Sequence, residues 1–223
     1  MPASIAPRPA FCFAAPPVAS AGRPLALSID DRTAEALAML VPVLGCGEEA
    51  AALAFDGLAA ARARDAAALR AIGAEERVHD ALLKQVAASL PPPARDLRRG
   101  ARRFHIDLGR GGPALHLARI AAIDAAVCTI FSRLIRPQSG LARDPALGAI
   151  LARIHGDEAR HVRVSRSLAR ATMSRRALQA CGAATRAAMA ATLAPAADAF
   201  EALRVDPDHL LRDVARLPDG LFA

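Results

Sequence analysis

Two short segments repeat one arrangement, EERVHD at residues 75–80 and DEARHV at residues 157–162. Each has two acids, two intervening residues, then a histidine. With only seven Glu and six His in the chain, chance supplies roughly 0.2 Glu-x-x-His pairs. Both copies fall in segments of helical period, and on a helix residues three apart share a face. Each copy therefore sets a carboxylate beside an imidazole, a donor pair that suits iron, manganese or zinc. A single copy reads better as a surface Glu/His pair worth a few tenths of a kcal/mol. Two copies ask for a fold that brings them together.

The surrounding sequence predicts helices. Ala, Leu and Arg dominate, a helix-forming mixture, while aromatics are 3% and Trp and Tyr are absent. β-branched residues are thin, which argues against strands. With 53% hydrophobic residues over 223 positions, one domain with a buried core is expected. Residues 1–28, rich in Pro and Ala, read as a flexible tail. Ser28 and Asp30 signal the start of a helix. Pro42 and the Gly45-Cys46-Gly47 stretch are expected to kink or divide it, with a helical pattern resuming from Glu48 to Arg64. A second helix is predicted from about Ala66 to Leu90, stopped by three prolines. A third spans about Pro113–Leu134 and a fourth about Pro145–Met173. Beyond them the sequence predicts one long helix to about Leu203 and a short one from Pro207 to Leu217.

The first and third of these segments carry acids in apolar surroundings. Glu48 lies in EEAAALAF, with Phe55 seven residues on, and Asp124 lies in RIAAIDAAVCTIFSRLI, with Phe131 seven residues on. An unpaired carboxylate buried there costs several kcal/mol, and a metal removes that cost.

The order acid, Glu-x-x-His, acid, Glu-x-x-His, one set per helix, resembles the ferritin-like di-iron carboxylate superfamily over residues 46–171. The resemblance implies an all-α fold: a ferritin-like four-helix bundle at 29–173 with additional C-terminal helices at 174–223. It implies Glu48 and Asp124 as terminal acids, Glu76 and Glu158 as bridging carboxylates, and His79 and His161 as one imidazole for each metal. The cofactors implied are two Fe ions, with Mn as the alternative at one or both sites, and O2 as co-substrate. Four carboxylates would balance two divalent ions. The implied activity is that of an oxygenase or oxidase on a small organic substrate, supplied by a separate electron donor. A rubrerythrin-like peroxidase and an iron-oxidising storage protein are the alternatives within the superfamily, and a metal-free helical interaction protein is the alternative outside it. Asp124 stands where the superfamily more often has Glu. The absence of Tyr excludes storage of a tyrosyl radical, and the absence of paired CxxC excludes a rubredoxin-type domain.

Neighbouring residues compete for these roles. Glu49 adjoins Glu48; Glu75 and Asp157 precede their histidines by four and read as outer groups. His155, three before Glu158, is an additional candidate ligand, with a structural role preferred. His105, His116 and His209 read as loop-associated and uninvolved. The net charge of +7 comes almost wholly from Arg. Its densest run, RDLRRGARR at 95–103, lacks interleaved aromatics and reads as a solvated loop rather than a nucleic-acid surface. Cys12, Cys46, Cys128 and Cys181 read as separate small buried residues in a reducing compartment. No spanning helix and no signal core are expected, so the expected setting is cytoplasmic; a homodimer is expected separately.

Overall fold

The computed structural model describes residues 11–13 and 23–217 of the chain. Among the described residues all regular structure is helical: α1 (Asp31–Ala61), α2 (Ala66–Ala87), α3 (Arg98–Leu108), α4 (Pro113–Leu134), α5 (Pro145–Arg170), α6 (Arg175–Leu193), α7 (Ala197–Ala202) and α8 (Pro207–Ala215). Starts follow the capping chemistry. Asp30 accepts from the Thr33 amide at 2.7 Å and Asp144 from the Leu147 amide at 2.9 Å. Proline occupies the first turn of α4, α5 and α8, where a missing N–H costs nothing.

α1 packs along α2 and α4 along α5, and the two pairs meet through α1 with α4 and α2 with α5. The apolar core falls into two clusters. One holds Leu40, Cys46, Leu83, Ile130, Phe131 and Ile154; the other holds Phe55, Leu69, Ile72, Leu117 and Ala169. α1 and α5 run from the first cluster to the second, and α2 and α4 run from the second to the first. So α1 and α2 are antiparallel, as are α4 and α5, while α2 and α4 run the same way and need a long crossover between them. On α1, α2 and α5 the acids and histidines of the predicted site fall between the two clusters, and on α4 Asp124 falls at their junction.

Four expectations are corrected here. Pro42 does not divide α1, which is continuous; the proline removes one N–H, but Leu40, Val41, Val43 and Cys46 on either side are buried and hold the helix. The basic run at 95–103 is not a loop, because it enters α3, which buries Ala101 and Leu108. The long helix expected to reach Leu203 ends at Leu193, where Pro195 forces a 3-10 turn. By length and composition α1 and α4 are apolar enough to cross a membrane, contrary to expectation; 67% and 61% of their apolar windows are buried inside the protein, which makes them its core helices.

The N-terminal segment and the cysteines also differ from expectation. Phe11–Phe13 sits on the helices, and Cys12 is joined to Cys46 by a disulfide, with Cα atoms 5.1 Å apart. Cys128 and Cys181 are free thiols. The Leu25 and Ser28 amides donate to Ser89 and Asp144 at 2.6 Å each. The remainder of the predicted tail and residues 218–223 lie outside the described residues.

Candidate metal centre

Four helices each bring acid or imidazole groups into the space between the two apolar clusters. Ligand atoms of Glu48, Glu76, His79 and Glu158 all lie within 4.8 Å of one another, and all four residues are buried. His79 Nδ1 faces Glu48 and Glu76 at 3.4 Å each and Glu158 at 3.5 Å. His161 Nδ1 faces Glu76 at 3.0 Å and Glu158 at 3.7 Å. Glu76 and Glu158 therefore stand between the two imidazoles.

Each imidazole is held from behind by the opposite helix. His79 Nε2, on α2, pairs with Asp157 of α5 at 3.0 Å, and His161 Nε2, on α5, pairs with Glu75 of α2 at 2.7 Å. Arg160 closes this exchange by donating to Asp157 at 2.6 Å and to Glu75 at 2.8 Å. A carboxylate behind Nε2 fixes the proton there and leaves the Nδ1 lone pair pointing inward. Nδ1 of both histidines and Oε2 of Glu76 are buried without a hydrogen-bond partner. Buried polar atoms are rarely left this way, and three of them around the Glu76 and Glu158 carboxylates are donors that suit a cation.

Electrostatics say the same in the absence of a cation. Burial pushes Glu48 well above the usual carboxylate range, and Glu76 and Glu158 beside it add to the effect. Burial also raises Asp124, again with Glu158 and Glu76. Burial alone would raise Glu76 and lower the imidazoles, but their contacts win. Glu76 falls to about 2 beside His161 and His79, and His161 rises to about 11 between Glu158 and Glu76. His79, among Glu158, Glu48 and Glu76, rises far above its ordinary value. Protons thus take the place that positive charge would otherwise fill.

The six predicted residues are all buried around one space, though not on equal terms. Asp124 and His161 are outside the tight group of four; Asp124 accepts from Ser165 Oγ at 2.9 Å and shares a cavity wall with Glu48, Glu76 and Glu158. His155 is half-buried on α5 and is not in the group. Glu49 is not a ligand candidate at all. It accepts from the amides of Phe11, Cys12 and Phe13 at 2.7–2.8 Å and pairs with Lys84 at 2.8 Å. Sequence reasoning missed Arg160, whose i,i+3 spacing to Asp157 was its only local signal. It also missed His105, which is on α3 rather than in a loop and lines the cavity over Glu48.

That cavity has a volume of about 70 Å3. Glu48, Glu76, Asp124 and Glu158 line one part of it, and the rest of its lining is mostly apolar. α3 and α6 close it, so the crossover and the C-terminal extension both contribute walls. Comparison with known proteins finds no family model that matches the chain and no curated protein that matches it.

Proposed function

We propose that the chain is a ferritin-like di-iron carboxylate protein that activates O2, acting as an oxygenase or oxidase on a small organic substrate. One observation carries this reading: two Glu-x-x-His pairs on adjacent helices, with both Nδ1 atoms turned inward onto Glu76 and Glu158 and both Nε2 atoms tied outward to Asp157 and Glu75. The directions of the helices agree, since two antiparallel pairs joined by one long crossover are the ferritin-like arrangement.

Glu76 and Glu158 stand where they would bridge two ions, His79 and His161 would hold one each, and Glu48 and Asp124 would complete the set from α1 and α4. Two ferrous ions there would supply the electrons that reduce O2, with manganese the alternative at either position. The residues' own work is to fix the imidazole tautomers, hold four carboxylates close enough to need cations, and keep the space dry. The apolar cavity over Glu48 and Asp124 favours substrate oxidation over iron storage, which needs no such chamber. A separate electron donor and a homodimeric state belong to the same proposal. So does a cytoplasmic setting, against which the Cys12–Cys46 disulfide weighs.

Anaerobic titration with Fe(II), followed by admission of O2, tests the reading. Two irons per chain and an O2-dependent absorption band are expected, both lost in His79→Ala and His161→Ala. No tight metal and no response to O2 would leave a metal-free helical interaction protein.

A further inference from the structure

The cavity over the acid cluster has one imidazole in its wall. His105 projects from α3, between Ala101 and Leu108, the two positions by which that helix is buried. Its Nε2 lies 3.7 Å from where a Cβ on Gly47 would stand, one residue before Glu48. Any side chain larger than Ala at position 47 would press on the ring, so Gly47 keeps this end of the cavity open. Phe104 packs edge-on to the imidazole, with ring centroids 5.1 Å apart.

The ring nitrogens of His105 bond to no other group among the described residues. Outside the acids the lining is mostly apolar, with Val127, Phe131 and Leu193 in it, and the Thr192 hydroxyl already donates to the Ala188 carbonyl at 2.9 Å. His105 is half-buried, and burial lowers its value, so near neutral pH the ring carries one N–H and one free lone pair. A neutral imidazole in an apolar wall can donate or accept one hydrogen bond. What it would meet in the cavity is therefore a group that does either, on a body that is otherwise apolar.

We infer that His105 reads the single hydroxyl or amino group of a small, mainly apolar ligand seated over Glu48 and Asp124. As a substrate assignment this rests on the O2-activating reading; as a ligand site it stands on the cavity alone. The carboxylates and the imidazole line the same cavity, so a ligand held by His105 has its apolar body against the acid cluster. A ligand of the same shape without the polar group leaves the imidazole desolvated and unpaired, a loss that discriminates more strongly than a missing methylene.

Phenol and toluene, equal in heavy atoms and differing in the hydroxyl, are the probes. They are titrated into the metal-free full chain, so that phenol cannot bind through a metal. Phenol is expected to bind about tenfold more tightly than toluene, the effect of one ordinary net hydrogen bond. His105→Leu should abolish the preference and His105→Gln, which keeps a donor and an acceptor, should restore part of it. The 15N shifts of the His105 ring in the unmodified protein should move with phenol and stay with toluene, a readout that needs no variant. Equal binding of the two probes, a preference that survives His105→Leu, or no binding of either overturns the inference. Metal content, measured in parallel, separates the two readings. Two irons without phenol preference leaves the di-iron reading standing, and phenol preference without metal sinks that reading and leaves the ligand site.

Discussion

Each site histidine is held between a carboxylate that fixes the proton on Nε2 and carboxylates that favour its charged form. The holding carboxylates are themselves held by one residue, Arg160, which is half exposed and touches neither imidazole. Removing it leaves Glu75 and Asp157 free to turn to solvent and loosens both rings at once. Arg160→Ala is expected to weaken Co(II) binding, by less than the roughly 10- to 100-fold that loss of a histidine's direct outer partner costs. Circular dichroism should be unchanged, since an exposed pair contributes little to stability. Asp124 behaves differently, because it is buried and among the described residues its one hydrogen bond is from Ser165. Asp124→Leu should raise the unfolding midpoint of the metal-free protein and lower its metal affinity. A stabilised variant that binds metal as before would show that Asp124 takes no part in the site. Both motif histidines were legible in the sequence because their partners lie three residues away on the same helix. Arg160 and His105 were not, because their roles depend on groups 85 and 58 positions distant, at Glu75 and Gly47.

The helices show the same divide between local and remote signals. α4 was readable to the residue, with Pro113 opening it and Arg136-Pro137 closing it. α3 was not, because only two of its eleven residues are buried and four of the others are arginines. The segment Phe11–Phe13 was least legible of all, since it is anchored through its backbone. Its three amides converge on Glu49, which is fully buried, while Lys84 neutralises the same carboxylate and Asp80 at 2.7–2.8 Å. Phe11 fills the space over Gly45, where a Cβ would stand 2.1 Å from the ring. A glycine in mid-helix reads as a weakness until the ring that occupies its missing side chain is known. Gly45→Ala must unseat that ring, a cost of about 1–3 kcal/mol by analogy with overpacked cores. Glu49→Gln removes the charge that gathers the amides. Both variants should speed hydrogen exchange at Phe11, Cys12 and Phe13 and leave metal stoichiometry unchanged. A change in metal stoichiometry in either would mean that this segment supports the site rather than merely lying beside it.

At the scale of the whole molecule, the layer of acids and imidazoles between two apolar clusters makes stability depend on what neutralises it. In the metal-free protein that is protons. Glu48 and Asp124 have raised values through burial, and His79 and His161 through their carboxylate neighbours, His161 to about 11. The folded chain therefore keeps protons that the unfolded chain releases. Each of these groups contributes stability that is complete below its unfolded value and is lost as pH rises toward its folded one. The loss begins near pH 4 for the two carboxyls and near 6.5 for the imidazoles, and runs to about 11 for His161. Glu76 has the opposite sign. Its value is lowered to about 2, so its contribution is present above about 4.5 and disappears as pH falls through 2. The metal-free protein should be most stable in mildly acidic solution and weaken as the solution becomes alkaline. A bound cation displaces the same protons, so its binding tightens as they become easier to remove. The gap in unfolding midpoint between Zn(II)-loaded and metal-free protein should widen from pH 5.5 to 8.5, mainly because the metal-free midpoint falls. Thermal unfolding at three pH values with and without Zn(II) measures this directly. A gap that stays constant would mean that protons and metal occupy different groups, and that the buried acids and histidines are neutralised by each other alone.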